Sequence, residues 1–254
     1  MTPILLYHQI TDAFDADDPF QLSVTPQSFE AQMYFLAKNG YRCLSLGEAL
    51  EQRASGQKAN KTFAITFDDG YLDNYQTALP ILQKYGFTAT IFVITDFIGR
   101  SVCWPGTREV RFCSWDQLHD LTAHGIELGG HTITHPNLHE IDSAEAKHEI
   151  GESKRLLEDG LNRPVPFFAY PGGHQTAGIQ QMVEAEGYAA GLGVDIGPDR
   201  LFNTWRVQIT RNDSLSLFRL KVSGRFEQLK KIRHSSKLTH HLTQFAGGVI
   251  NRLR

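Results

Sequence analysis

The sequence predicts an α/β protein in which mainly parallel strands form a closed or nearly closed barrel with helices packed outside. Short apolar runs alternate with amphipathic helical patterns along most of the chain, which is typical of repeated strand–helix units. Acidic and histidine-rich motifs follow several of these runs, at the strand ends where barrels of this class place functional residues. The chain has 254 residues, which is enough for one such barrel.

The predicted elements follow one another along the chain. A helix begins at Thr25-Pro26, an N-cap followed by a first-turn proline, and ends at Gly40. Strands are predicted at Ile4–Tyr7, Arg42–Leu46, Phe63–Phe67, Ala89–Ile94, Ile126–Leu128, Phe167–Ala169, Tyr188–Leu192 and Val207–Thr210. Further helices are predicted at Asn74–Tyr85, from Ser114 to about His124, at Ser143–Leu157 and at Ile179–Glu186, whereas Asp96–Phe112 lacks periodicity and is predicted to be a long loop.

Composition excludes several classes of protein. The formal net charge of -3 gives no reason to expect nucleic acid as a partner. No apolar run approaches the length of about 18 residues that a membrane-spanning helix needs. The N-terminal residues have neither a basic region nor an apolar stretch of signal-peptide length, so the sequence as given predicts a cytoplasmic location. Three cysteines without a paired spacing argue against a disulfide framework.

We predict a single catalytic domain over residues 1–254, with a basic, helical extension at 213–254 packed on it. From Arg219 onward this extension carries nine lysine and arginine residues against one acid, Glu227. It is either a solvated surface or a docking segment for an anionic membrane surface or an acidic protein. We favour the solvated interpretation because charge runs are usually solvated.

The first motif with chemical content is Thr66-Phe67-Asp68-Asp69-Gly70, directly after a buried strand. Gly70 permits a sharp turn that can bring both carboxylates toward one cavity. Two adjacent carboxylates can divide their tasks, one binding a metal and the other accepting a proton. By itself the motif could equally be an Asx-type turn or a helix cap.

The second motif is Gly130-His131-Thr132-Ile133-Thr134-His135-Pro136, which follows the strand at Ile126–Leu128. Histidines four residues apart can point the same way on a helical turn, a usual spacing for a shared metal. Asp69 would complete a face of two histidines and one carboxylate, with positions left for water and substrate. The alternative is that both are ordinary loop histidines.

Together the two motifs resemble those of the NodB-homology polysaccharide deacetylases, carbohydrate esterase family 4. The resemblance covers about residues 4 to 210 and implies a distorted NodB-type (β/α) barrel. It implies Asp68 as the catalytic base, and Asp69, His131 and His135 as ligands of one divalent metal, usually zinc.

A third segment, Phe167-Phe168-Ala169-Tyr170-Pro171-Gly172-Gly173, resembles the third motif of that family in a variant form. The common form has an arginine at the position of Ala169 and a tyrosine at that of Gly172. The resemblance implies that the backbone N–H of Gly172 helps to hold an oxyanion. It leaves open what orients Asp68; Arg206, just before a late strand, is the candidate substitute, and a surface role is the alternative.

The catalytic acid is predicted in Leu5-Leu6-Tyr7-His8. The resembled family usually has Leu-x-x-His near its C-terminus, and an N-terminal position resembles the circularly permuted poly-N-acetylglucosamine deacetylases of biofilm systems. His8 would then be the acid. Two other candidates are His174 and the pattern Leu238-Thr239-His240-His241, and a satisfied buried histidine is the structural alternative for His8.

The expected function is therefore metal-dependent removal of N-acetyl groups from an acetylated amino sugar, in a polysaccharide, an oligosaccharide or a lipid-linked precursor. Two alternatives stay open. The chain could cleave a non-sugar amide or a sugar O-acetyl ester, or it could be a catalytically inactive carbohydrate-binding protein. The loop Ser101–Phe112, with Trp104, could line a sugar-stacking groove or act as a lid.

Overall fold

A computed structural model describes residues 1–13, 21–56, 60–103, 108–194, 199–223 and 226. The strands are β1 (Ile4–Tyr7), β2 (Arg42–Cys43), β3 (Thr62–Phe67), β4 (Thr90–Val93), β5 (Ser101–Cys103), β6 (Glu109–Arg111), β7 (Glu127–Gly130), β8 (Phe167–Ala169), β9 (Ala190–Leu192) and β10 (Val207–Gln208). The α-helices are α1 (Pro26–Lys38), α2 (Leu46–Ala54), α3 (Leu79–Lys84), α4 (Trp115–Ala123), α5 (Ser143–Leu161), α6 (Ala177–Ala185) and α7 (Leu215–Val222). Single turns of other helix types lie at Thr95–Phe97, Pro171–Gly173 and Asn74–Ala78, the last a π-helix.

The main sheet is parallel and curled. Its strands run in the order β10-β1-β3-β4-β7-β8-β9, and β2 pairs with β3 beside this path. Every pairing in this sheet is parallel. The curl brings Leu192 of β9 into an isolated parallel bridge with Thr204, shortly before β10. The result is a half-barrel with helices outside, so the predicted fold class is confirmed.

Alternation along the strands separates two apolar clusters. On β1 and β3 the odd-numbered residues, Leu5, Tyr7 and Phe63 among them, pack in the large cluster beneath the helices. The even-numbered Ile4 and Ala64 belong to a smaller cluster on the other face of the sheet, the concave face. Because side chains alternate between the two faces of a strand, the next even positions beyond each strand point toward the concave side.

Local capping explains where the helices begin. The Thr25 hydroxyl accepts a hydrogen bond from the backbone N–H of Ser28, and Pro26 occupies the first turn of α1, as predicted. The predicted strand Arg42–Leu46 is wrong beyond Cys43. Ser45 and Glu48 form a capping box that starts α2 at Leu46, and the sequence reading missed this helix.

Two other predicted elements differ from the structure. The predicted loop Asp96–Phe112 contains an antiparallel hairpin of β5 and β6, in which Val102 lies opposite Val110. These strands are three residues long, too short to show a periodic pattern in the sequence. The predicted helix Asn74–Tyr85 is divided into the π-helix and α3, with Pro80 tolerated in the first turn of α3.

Several earlier expectations concern the chain as a whole. Cys43, Cys103 and Cys113 are free thiols, as the sparse cysteine pattern predicts. Among the described residues, no helix has both the length and the apolar character to cross a bilayer. Within the predicted 213–254 extension the structure describes α7, and most of the basic segment lies outside the described residues. Trp104, in the predicted Ser101–Phe112 loop, also lies outside them. The single-domain prediction and the cytoplasmic location stay predictions.

Close packing at β7 gives a stability test. An alanine Cβ at Gly129 would lie 2.4 Å from ring atoms of Phe92 and 3.0 Å from the carbonyl oxygen of Phe167. We expect Gly129→Ala to lower the free energy of unfolding by about 1–3 kcal/mol, measured by urea denaturation.

The matched control is Gly178→Ala in α6, where the nearest atom to an added Cβ would be 3.8 Å away. This change should leave the unfolding free energy unchanged or raise it by up to about 1 kcal/mol. Equal urea midpoints for the two variants would contradict the close approach at β7.

Candidate metal centre and its surroundings

Three functional side chains come together because their strands are neighbours. β1 pairs with β3 on one side and with β10 on the other. His8 follows β1, Asp68 follows β3 and Arg206 immediately precedes β10. All three occupy even positions, so the strand alternation directs them to the concave face. His8 and Asp68 thus lie at the C-terminal ends of two adjacent parallel strands, where barrel folds place their sites.

Asp68 and Arg206 form a buried, bidentate ion pair. The two terminal guanidinium nitrogens of Arg206 donate to Oδ1 and Oδ2 of Asp68 at 2.6 and 2.8 Å. Arg206 is 1% exposed, and its Nε donates to the carbonyl oxygen of Gly193. Burial alone would raise the pKa of Asp68, but Arg206 and His131 lower it below its ordinary value. Asp68 is therefore an ionised carboxylate in a fixed orientation.

A left-handed turn re-aims Asp69. Asp69 and Gly70 have φ values of +76° and +79°. Without this turn, alternation would send Asp69 to the opposite face of the sheet from Asp68. The left-handed conformation is unfavourable for aspartate, so its presence indicates that the surrounding contacts fix it. The turn thus places two consecutive carboxylates in one cavity.

Asp69 meets both histidines of the second motif. Its Oδ1 lies 3.3 Å from Nε2 of His131 and 3.6 Å from Nε2 of His135. One ligand atom from each of the three residues lies within 4.8 Å of the others, the one metal-type cluster found in the described part of the chain. Two imidazoles and one carboxylate form a donor set that suits zinc and similar divalent ions.

The electrostatics of the cluster also fit a cation. Burial lowers the pKa of His131, but Asp68 and Asp69 raise it above its ordinary value overall. Burial would raise the pKa of Asp69, whereas the hydrogen bond to His131 and the nearby His135 lower it. The pKa of His135 falls to about 4, chiefly through burial, so this imidazole is neutral. A site that attracts a proton to His131 and keeps His135 neutral is suited to bind a metal ion.

The histidine loop is not the helical turn that the spacing predicts. Thr132 and His135 have φ values of +67° and +63°, and the Thr132 hydroxyl accepts a hydrogen bond from the His135 backbone N–H. Nδ1 of His131 lies 2.8 Å from the carbonyl oxygen of Ala169. Donation from Nδ1 to this carbonyl would leave Nε2, the nitrogen that faces Asp69, available to a metal ion. The variant third motif thus supplies a backbone partner to His131.

Two residues that the sequence analysis missed hold the backbone of His8 and of Ile10, which follows it closely. Nδ2 of Asn74 donates to the carbonyl oxygen of His8, and Oδ1 of Asp73 accepts from the backbone N–H of Ile10. Burial raises the pKa of Asp73 to about 6. The signal that could have found these residues is their position four and five residues after Asp69, where the π-helix starts.

Burial lowers the pKa of His8 itself, against the opposing effect of Asp69 and Asp68. Its Nδ1 is a buried atom without a hydrogen-bond partner among the described residues. The imidazole is therefore oriented through its backbone and its packing. Its place in the chain, directly after β1 and alongside Asp68 at the end of β3, sets it next to the paired carboxylates.

The remaining candidates lie farther out. Gly172 adopts φ +61° in the turn after β8 and is exposed, with the ring of His174 packed against it. His174 is exposed and contacts His139 edge to face, with 6.0 Å between ring centroids, and it takes no part in the cluster. The pattern at His240-His241 lies outside the described residues.

Comparison with known proteins matches this architecture. The family model described as polysaccharide deacetylase matches residues 55–191. The YxkH protein of Bacillus subtilis is 34% identical over 196 residues, covering 77% of this chain and 65% of that protein. A poly-β-1,6-N-acetyl-D-glucosamine N-deacetylase of Staphylococcus epidermidis is 28% identical over 163 residues, covering 59% of this chain and 54% of that protein. The chain thus spans less than two thirds of either relative.

Solved structures give the same result. The Streptococcus pyogenes deacetylase PplD, in complex with acetate, superposes with a TM-score of 0.75 and 27% identity, over 87% of this chain and 97% of that one. IcaB from Ammonifex degensii superposes with a TM-score of 0.70 and 25% identity, over 85% and 94%.

The matched family segment contains Asp68, Asp69, His131, His135 and Gly172, while His8 and Arg206 lie outside it. Because β1 pairs with both β10 and β3, His8 and Arg206 nevertheless lie on the same face of the sheet as Asp68. Since the family model spans more than half of the sequence and the half-barrel matches the deacetylase structures, this chain belongs to the polysaccharide deacetylase family.

Proposed function

We propose that the protein is a metal-dependent hydrolase that removes N-acetyl groups from an acetylated amino sugar. The observation that carries this proposal is the juxtaposition of the cluster of Asp69, His131 and His135 with the ion pair of Asp68 and Arg206. A metal-ligand set beside an oriented, ionised carboxylate suits hydrolysis of an amide by an activated water. The relatives named as N-acetyl-D-glucosamine N-deacetylases support an amino-sugar substrate.

Asp69, His131 and His135 would hold the metal, for which zinc is the proposed identity. When bound, a zinc ion supplies Lewis acidity that polarises an acetamide carbonyl and makes water easier to deprotonate. The three side chains leave coordination positions for water and substrate, as catalytic zinc sites do. Hydrogen bonding of His131 to the Ala169 carbonyl would fix the orientation of this ligand.

Asp68 would act as the general base that takes a proton from the attacking water. Its orientation depends on Arg206, which donates a hydrogen bond to each carboxylate oxygen. Arg206 would thus replace the motif arginine, whose position is taken by Ala169 in this chain. The lowered pKa of Asp68 keeps it ionised before the reaction, so it is ready to accept the proton.

Two further groups would complete the reaction. The Gly172 N–H would donate to the oxyanion that forms at the acetyl carbonyl. His8 in its protonated form would donate a proton to the departing sugar nitrogen, so that acetate and a free amine result. Gly172 is exposed in the turn after β8, which leaves room for a sugar chain to approach.

The substrate class is proposed as a polysaccharide, an oligosaccharide or a lipid-linked precursor bearing N-acetylated amino sugars. Acetate release from N-acetylglucosamine oligomers, lipid-linked sugars and an O-acetylated sugar, each with zinc and with chelator, tests the proposal. Zinc-dependent release from the amides supports it, and release confined to the ester would overturn it.

Asp68→Asn is the first prediction for this site. Removing the proposed base should lower the turnover number by about 10²- to 10⁴-fold, because the side chain could no longer accept a proton. Acetate release measures the loss, and zinc titration of the same variant should show retained metal binding. Normal turnover with zinc bound would rule out Asp68 as the base.

The neighbouring aspartate provides a matched pair for metal binding. Zinc should stabilise the folded wild-type protein and folded Asp68→Asn by about 4 kcal/mol when free zinc is about a thousand times its Kd. The melting temperature of both proteins should therefore rise. Asp69→Asn should show a much smaller rise, because one ligand is lost. Thermal unfolding with zinc and with chelator gives the comparison, and similar rises in both variants would refute the assignment of Asp69.

The ion pair predicts a non-additive effect on stability. Arg206→Met leaves the Asp68 carboxylate buried and unpaired, so the free energy of unfolding should fall by about 3–5 kcal/mol. The double variant Arg206→Met/Asp68→Asn should recover part of this loss, because the uncompensated charge is removed. Urea denaturation of the four proteins in the cycle tests this, and strictly additive losses would show that the pair is not coupled.

A further inference from the structure

The two histidines of the proposed metal centre lie at the ends of a strained loop. Thr132 and His135 both occupy the left-handed region of φ, which costs on the order of 1 kcal/mol or more for a residue other than glycine. Such conformations persist where the surroundings over-determine them. The relative positions of the two imidazoles therefore depend on whatever holds the residues between them.

Those residues are held by a buried carboxylate from α5. Oε2 of Glu149 accepts from the backbone N–H groups of Ile133 and Thr134, at 2.7 and 3.0 Å. Its Oε1 accepts from the Thr134 hydroxyl at 2.8 Å. Glu149 is 6% exposed, and every one of these contacts is to the histidine loop.

The other side of the loop is bonded to the turn that follows β4. The backbone N–H of Thr95 donates to the carbonyl oxygen of Thr132, and that of Asp96 donates to the carbonyl oxygen of Ile133. The loop is thus clamped between a fixed turn and the Glu149 carboxylate. The Glu149 carboxyl oxygens accept three hydrogen bonds from the loop, whereas the turn donates two to it.

We propose that Glu149 is a positioning residue for the metal centre: it fixes the loop conformation that sets His131 and His135 at the separation needed to bind one ion. This inference rests on the proposed function, since it requires that these histidines bind a metal. The hydrogen bonds of Glu149 go to Ile133 and Thr134, between the two histidines, so its effect reaches the metal through the loop. Glu149 belongs to none of the motifs described above, because it lies on a helix 14 residues beyond His135.

The test is the zinc affinity of the folded protein, measured by competition with a chromophoric zinc chelator. The variants are Glu149→Ala and Glu149→Gln. Their controls are Glu145→Ala and Glu145→Gln, at an exposed glutamate one turn earlier on the same helix. Circular dichroism and thermal unfolding of the zinc-free proteins are recorded alongside.

Glu149→Ala should weaken zinc binding by about 10- to 100-fold, the usual effect of removing a group that orients metal ligands. Glu149→Gln should lie between Glu149→Ala and the wild type, because its amide oxygen can still accept from both backbone N–H groups. Both Glu145 variants should bind zinc as the wild type does. A purely structural role would lower the melting temperature without changing the zinc affinity of the folded protein.

Zinc affinities of the Glu149 variants equal to those of their Glu145 counterparts would overturn the inference, whatever their melting temperatures. If Glu149→Ala does not fold, Glu149→Gln against Glu145→Gln decides by the same criterion. Absence of zinc binding by the wild-type protein would refute the proposed metal centre itself. Zinc binding by the wild type with equal affinity in all variants would refute the role of Glu149 alone.

Discussion

The buried ion pair of Asp68 and Arg206 is the interaction on which the arrangement of this half-barrel depends. Two consecutive carboxylates at the end of one strand cannot both remain ionised in a dry cavity without nearby positive charge. Arg206 supplies that charge from the far end of the chain, at 2.6 Å from Asp68. The pair can form only if β10 is a neighbour of β1 and β1 a neighbour of β3, which is the observed strand order. The strand order is therefore required for the ion pair, and the ion pair is required to keep the carboxylates ionised.

The sequence was most informative where function requires several residues close together in the chain. Asp68-Asp69 and the two motif histidines form local patterns, so their meeting could be predicted from strand ends alone. Arg206 has no local pattern, and only the missing arginine at Ala169 suggested it. The strand alternation explains why it points inward, since Val207 and Ile209 take the opposite face and pack under the helices.

The parts that could not be predicted are those where one residue acts at a distance. Glu149 lies within the long helix α5, and nothing in its immediate sequence indicates that it holds backbone groups of another segment. The same limit applies to local structure. The β5–β6 hairpin was missed because three-residue strands carry too little periodicity, and the left-handed residues at Thr132 and His135 broke the helical geometry expected from their spacing.

The two aspartates show how identical side chains acquire different tasks. Asp68 continues the alternation of β3 and meets a guanidinium that occupies both its oxygens, which fixes it as an ionised, outer carboxylate. Asp69 reaches the same cavity only through a strained left-handed turn, and there it faces two imidazole nitrogens in place of an arginine. A carboxylate whose two oxygens are both occupied by a guanidinium is a poor metal ligand, whereas one that faces two imidazole nitrogens can share an ion with them. Backbone geometry, and not residue type, thus separates the proposed base from the proposed ligand.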